Sequence, residues 1–166
     1  MSTPDYLAGY PASLQQQAAR LVTDGRLGTY LTRKYPESHH VQSDKALYDY
    51  VSALKSRYMK KAAPLSQARY DSKLNVVKQA LGLHTYRAHV QGNKLKTRNS
   101  ITVAALFREA PPEFLRMIVV HELAHFREKG HDKAFYQLCC HMEPDYHQLE
   151  LDTRLWLLWR DHVRQA

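Results

Sequence analysis

Apolar residues recur at helical spacing in the first third of the chain, and residues typical of helix ends bound each run. The first run begins at Ser13, a candidate N-cap, and ends before Pro36. The second begins at Ser43 or Asp44, either of which suits an N-cap, and Pro64 is expected to end it. Two amphipathic helices are therefore predicted as an N-terminal frame.

The middle of the chain carries a different pattern. The stretch SKLNVVKQALGL fits either a short helix that ends at Gly82 or a bent strand. Residues 83–107 then show alternating apolar positions, a turn signal at Gly92 and a β-branched run at 101–103. We expect two or three strands of a small sheet in this range.

The last third predicts three more helices. Pro112 suits the first position of a helix, and Gly130 suits a left-handed C-terminal turn. Between them, apolar residues occupy almost every face of the predicted helix. This pattern is typical of a central, buried helix. A shorter helix follows and is closed by Pro144, and a final helix packs through Leu151, Leu155, Leu158 and Trp159.

A chain of 166 residues with 44% hydrophobic content supports one domain with a sizeable core. We predict a single domain over 1–166, made of a helical frame at 1–65, the small sheet at 83–107 and a helical part at 112–166. The expected fold class is α+β, mostly helical, with the sheet packed beside the central helix.

The central helix contains His-Glu-Leu-Ala-His at 121–125. Because an α-helix advances about 100° per residue, His121 and His125 lie one turn apart on the same face and can bind one cation. Glu122 is placed to take a proton from a water whose pKa the metal has lowered. His131, just after Gly130, is the candidate third ligand, because a catalytic zinc usually has three protein ligands. The alternative is that the histidines are core residues with backbone partners.

Tyr136 and Tyr146 could each donate a hydrogen bond to a developing oxyanion, or could be core tyrosines with a solvated hydroxyl. The remaining candidate ligands are weaker: His141, His147, Cys139 and Cys140. The two histidines lie beyond the turn that already supplies a ligand, and two adjacent thiols cannot easily reach one ion.

Charge is distributed unevenly along the chain, whose net charge is +8. Residues 50–108 carry twelve basic side chains and one acidic side chain. This basic block favours an anionic partner, although it could also be a solvated surface. Lys94, Lys96 and Arg98 precede the metal helix and are the candidate substrate-binding residues.

The N-terminus lacks a basic start followed by an apolar run, and no window is apolar over the roughly 18 residues that a membrane span needs. The two cysteines are sequence neighbours, which does not suit a disulfide framework. We therefore expect no membrane association and a cytoplasmic location.

The stretch RMIVVHELAHFREKGHDKAFYQL, followed by MEPDY, resembles the YgjP-like group of small bacterial zincin-type hydrolases. The resemblance is dense over 112–146 and looser elsewhere, and Tyr136 stands where the group commonly has tryptophan. It implies a zincin-like fold, a metal on His121, His125 and His131, and an acid/base role for Glu122. Zinc is the expected ion, and Mn, Co, Ni, or Mg with a phosphate substrate, are alternatives.

Three functions follow from these features. The resemblance and the basic block favour a nucleoside triphosphate pyrophosphatase acting on UTP, which would release diphosphate. The motif chemistry also fits a zinc metallopeptidase. The third possibility, which is less favoured, is a nucleic-acid-binding module with a structural metal, but a structural zinc normally has four protein ligands.

Overall fold

The computed structural model describes residues 5–74 and 99–165 of the chain. These residues form six α-helices, two β-strands and one 3₁₀ helix. The elements are α1 (Ala12–Thr23), α2 (Leu27–Lys34), α3 (Asp44–Tyr58), β1 (Gln67–Asp71), β2 (Ser100–Ala104), the 3₁₀ helix (Ala105–Glu109), α4 (Pro112–Ala124), α5 (Lys133–Met142) and α6 (Tyr146–Gln165). The predicted mostly helical α+β class is confirmed.

The first predicted helix is in fact two helices, and its predicted cap was wrong. Pro11, not Ser13, occupies the N-cap position of α1. After α1, Gly25 adopts a left-handed φ of 68°, and the Arg26 amide bonds to the Leu21 carbonyl at 2.9 Å. This arrangement turns the chain because glycine has no Cβ to oppose a positive φ. The apolar spacing continued across the turn and therefore concealed it.

Helix α3 begins as predicted at Ser43, whose side chain accepts a hydrogen bond of 3.0 Å from the Ala46 amide. It ends at Tyr58, well before Pro64, so the proline does not stop it. The buried stripe of α3 packs against β1 and α4 and consists of Leu47, Val51 and Leu54.

The sheet has two parallel strands, with Gln67 paired to Ser100. Strand β2 contains the predicted β-branched run at 101–103, but β1 lies outside the predicted range of 83–107. β1 is short and has only two buried side chains, so its own sequence carried little strand signal. The predicted strands before residue 99, and nearly all of the segment ending at Gly82, lie outside the described residues.

Helix α4 is the centre of the fold and packs against α3, α5, α6 and β2. Pro112 is its first residue, as predicted, but it ends at Ala124 rather than at Gly130. Gly130 does not adopt a left-handed φ, so that prediction was wrong. The chain leaves the helix earlier because the next amides bond to carbonyls three residues back, as from Phe126 to Leu123 at 2.9 Å. No helix of the described ranges is both long and apolar enough to cross a membrane.

Helix α6 is tied to α2 through a buried carboxylate. Asp152 has no exposed surface and accepts hydrogen bonds from the hydroxyls of Tyr30, at 3.0 Å, and Tyr35. Gln148 donates to it at 3.2 Å, and the Lys34 ammonium lies 3.0 Å away. A buried carboxylate with this many donors fixes the position of α6 relative to α2.

Candidate metal centre

Three histidines meet at the end of α4. His121 lies in its last turn, His125 follows it as the C-cap, and His131 lies in the loop before α5. The Nε2 atom of His131 is 3.1 Å from Nε2 of His125 and 3.3 Å from Nε2 of His121. All three therefore direct the same ring atom toward one point. The structure brings together the three residues that the sequence predicted as metal ligands.

The arrangement fits a divalent metal ion. Zinc binds histidine nitrogen at about 2.0–2.1 Å, and tetrahedral geometry then separates two such nitrogens by roughly 3.3 Å. His125 donates from Nδ1 to the Glu128 carbonyl at 2.9 Å, because a carbonyl oxygen only accepts. A neutral ring with that proton has a lone pair on Nε2, which is the atom that faces the other two histidines. Three imidazole nitrogens suit zinc, and also Cu, Fe or Ni.

A phenylalanine that the sequence analysis did not single out forms one wall of the centre. The ring of Phe135, fully buried on α5, lies 4.6–5.0 Å from the rings of His121, His125 and His131. Asp132 holds this part of α5 in place by accepting a bond of 2.9 Å from the Phe135 amide. Burial lowers the pKa of His131, which favours the neutral ring that a metal requires.

Glu122 lies beside His121 on the last turn of α4. Desolvation raises the pKa of Glu122 to about 8. Within the described ranges, no hydrogen-bond donor or basic side chain offsets this shift. A cation held by the neighbouring histidines would oppose the shift, because a nearby positive charge favours the carboxylate.

The other side of His121 faces a row of polar residues on α6. Its Nδ1 lies 2.8 Å from the Tyr146 hydroxyl, which donates to Glu150 at 2.7 Å. Arg154 pairs with Glu150 at 3.1 Å and donates to the Tyr6 carbonyl at 2.9 Å. We call Tyr146, Glu150 and Arg154 the α6 relay. Glu150 and Arg154 were not predicted, although the four-residue steps from 146 to 150 and from 150 to 154 place all three side chains on one helix face.

The sequence matches the family described as YgjP-like, metallopeptidase domain, over residues 5–154. The chain belongs to this family. Among curated proteins, the UTP pyrophosphatase of Escherichia coli (strain K12) is 56% identical to it over 157 residues, covering 95% of this chain and 94% of that protein. None of the solved structures matches the chain significantly. The resemblance seen in the motif is thereby confirmed.

The two tyrosines predicted to stabilise an oxyanion belong to the helices that follow the three histidines, Tyr136 to α5 and Tyr146 to α6. Tyr136 is half-buried, with its ring 5.1 Å from Phe135 and 6.1 Å from Tyr146. Burial, and then the charge of Glu150, raise the pKa of Tyr136. The hydroxyl of Tyr146 already contacts His121 and Glu150. The oxyanion role of both residues stays a prediction.

The weaker candidates lie outside the three-histidine cluster. His141 is exposed and its ring is 5.6 Å from that of Tyr58. His147 is also exposed and lies 5.2 Å from the Tyr136 ring. Cys139 is buried, and burial raises its pKa, so it is a neutral thiol. Its neighbour on the chain is also a free thiol.

Lys94, Lys96 and Arg98 lie outside the described residues. Several described members of the basic block make local contacts instead. Lys55 donates to the Ala62 carbonyl at 3.1 Å, and Arg108 donates to a main-chain carbonyl at 2.9 Å. The substrate-binding role of Lys94, Lys96 and Arg98 stays a prediction.

Proposed function

We propose that the protein is a metal-dependent hydrolase that splits UTP between its α and β phosphates and releases diphosphate. The observation that carries this proposal is the identity of 56% to a protein named UTP pyrophosphatase, which extends over nearly the whole of both chains. The cluster of three histidines, with Glu122 adjacent in sequence to one of them, is compatible with metal-assisted hydrolysis.

We further propose that the resident metal is zinc, held by the Nε2 atoms of His121, His125 and His131. Three protein donors are typical of catalytic zinc, whereas a structural zinc normally has four. In the described ranges, the cluster contains these three residues and no fourth protein ligand. A bound divalent cation supplies Lewis acidity, which polarises a phosphoryl oxygen and makes water a better nucleophile at neutral pH.

Glu122 is the proposed general base. It is adjacent in sequence to one proposed ligand and accepts the proton of the attacking water on its carboxylate. A divalent cation bound by the three histidines would favour the ionised form of this carboxyl. Phe135 excludes bulk water from one side of the centre, which strengthens the electrostatic interactions there.

The basic block is the proposed source of substrate binding. A nucleoside triphosphate carries about four negative charges at neutral pH, and Lys or Arg side chains stabilise the charge that develops during phosphoryl transfer. We propose Lys94, Lys96 and Arg98 for this task. A cytoplasmic location is also proposed, since both cysteines are free thiols, as is usual in a reducing compartment.

A second candidate function is peptide hydrolysis, which the family description as a metallopeptidase domain favours. A histidine-bound zinc with an adjacent glutamate serves that reaction as well. The two candidates differ in substrate and share the same centre, so only a comparison of substrates separates them.

The experiment measures diphosphate release from the four nucleoside triphosphates and, in parallel, cleavage of a peptide library. Wild type is compared with Glu122→Gln and with Glu109→Gln. Glu109 is a surface carboxylate, 70% exposed, so the same chemical change there is a matched control. We expect wild type and the control to release diphosphate, with UTP the preferred substrate, and Glu122→Gln to lose at least a hundredfold in kcat.

Peptide cleavage without diphosphate release would replace the nucleotide function with the peptidase. Retention of metal with neither activity would favour the binding module. Full activity of Glu122→Gln would show that another group accepts the proton.

A further inference from the structure

We propose that the α6 relay of Tyr146, Glu150 and Arg154 holds His121 in the tautomer that presents Nε2 to the metal, and that Tyr146 and Glu150 thereby set metal affinity. They are positioning residues, because they contact a ligand rather than the metal or the substrate. The inference rests on the proposed metal centre, and it assigns a task to α6 residues that lie outside the motif.

The hydrogen bonds of the α6 relay run in one direction. Glu150 forms an ion pair with Arg154, and a carboxylate only accepts hydrogen bonds. Tyr146 has one proton, and it donates this proton to Glu150 at 2.7 Å. The Tyr146 oxygen can then only accept from Nδ1 of His121, at 2.8 Å. A neutral imidazole carries one proton, so Nε2 of His121 has the lone pair.

The α6 relay is buried, and a further hydrogen bond holds its far end. Tyr146 has no exposed surface, and Glu150 and Arg154 are 8% and 4% exposed. Water therefore competes weakly for these hydrogen bonds, and a low local dielectric strengthens them. Arg154 in turn donates to the Tyr6 carbonyl, which anchors the relay in the N-terminal segment. The orientation of His121 is thus set by packing at a distance from the centre.

The hydrogen-bond partner of Nδ1 differs in kind between His121 and His125. Nδ1 of His125 donates to a main-chain carbonyl, which accepts in every sequence. His121 depends on a tyrosine hydroxyl, which can donate as well as accept, and the hydrogen bond to Glu150 commits the hydroxyl proton. The carboxylate therefore has a specific task in selecting the tautomer, in addition to pairing with Arg154.

The test compares the zinc affinity of wild type, Tyr146→Phe and Glu150→Gln, by competition with a chromophoric chelator. Removing a partner of a metal-binding histidine typically weakens affinity about 10–100-fold, and we expect a loss in this range for both variants. The control is Tyr35→Phe. It also removes a buried hydroxyl bonded to an α6 carboxylate, but that carboxylate, Asp152, lies about 200° round the helix from Glu150. We expect the zinc affinity of Tyr35→Phe to stay within twofold of that of wild type.

Cobalt substitution supplies a second readout, because the visible spectrum of bound Co²⁺ reports the geometry of its ligands. We expect Tyr146→Phe to change this spectrum and Tyr35→Phe to leave it unchanged. If Tyr146→Phe destabilises the protein as Tyr35→Phe does but keeps wild-type affinity and spectrum, the relay is only structural and the proposal is overturned.

A measurement on the wild type covers the case in which a variant does not fold. Long-range ¹H–¹⁵N correlation spectra of the zinc-loaded protein identify which ring nitrogen of each histidine carries a proton. We expect a protonated Nδ1 and a zinc-bound Nε2 in His121, and the reverse assignment would overturn the proposal. A wild type that binds no zinc would overturn the metal centre itself, whereas normal binding with an unchanged Tyr146→Phe would overturn the relay alone.

Discussion

Replacing Asp152 by alanine tests whether the contact between α2 and α6 holds the fold together. Asp152 is fully buried and accepts hydrogen bonds from Tyr30, Tyr35 and Gln148. Each hydrogen bond to a charged group is worth about 1.5–3 kcal/mol, but these values do not add because the donors share one acceptor. The Lys34 side chain is 40% exposed and can turn to solvent, so its ion pair contributes little.

We expect Asp152→Ala to lower the free energy of unfolding by about 2–5 kcal/mol, because the hydroxyls of Tyr30 and Tyr35 lose their acceptor, at about 1–3 kcal/mol for each unsatisfied donor. Asp152→Asn keeps the shape and one acceptor oxygen, and should cost less than half as much. The assay is equilibrium urea unfolding followed by tryptophan fluorescence, with a chelator present so that bound metal does not contribute. A loss below about 1 kcal/mol for Asp152→Ala would show that these hydrogen bonds do not hold α2 against α6, because a change of that size is typical of surface substitutions.

Three further predictions concern the metal, a close packing contact and a helix end. Removing metal with a chelator should abolish activity and lower Tm. Adding zinc at about a thousandfold over its Kd should restore about 4 kcal/mol to the free energy of unfolding. An unchanged Tm would contradict metal binding. Gly28→Ala should cost about 1–3 kcal/mol in urea unfolding, because a Cβ there would lie 2.6 Å from Nε1 of Trp159. At Gly130, such a Cβ would have no atom of the described residues within 4 Å apart from its chain neighbours, so Gly130→Ala should stay within about 0.5 kcal/mol of wild type. Equal losses for the two variants would contradict the steric argument. Ser43→Ala should lower the free energy of unfolding by about 1 kcal/mol in the same assay, because the hydrogen bond to the Ala46 amide is lost. Ser43→Thr should keep most of this stability, because threonine also caps helices.

The proposed metal site could be predicted because its signal is local. The four-residue spacing of His121 and His125 fixes their relative direction on any α-helix. The apolar surroundings of that motif predicted the burial of α4, and Ser43 predicted where α3 begins. The same local rules misplaced the end of α4, because the tight turns after Ala124 depend on hydrogen bonds that periodicity does not report.

The amino-acid sequence by itself determined the α+β class, the three histidines and the glutamate beside them. Each of these follows from the spacing of apolar and polar residues within individual elements. Only the tertiary structure decided that β1 pairs with β2, that Phe135 forms a wall of the centre, and that Glu150 and Arg154 stand behind His121. The physical reason is that such contacts join residues far apart along the chain. The spacing of apolar residues predicts which face of a helix is buried, and only the packing of the whole chain determines which residues contact that face.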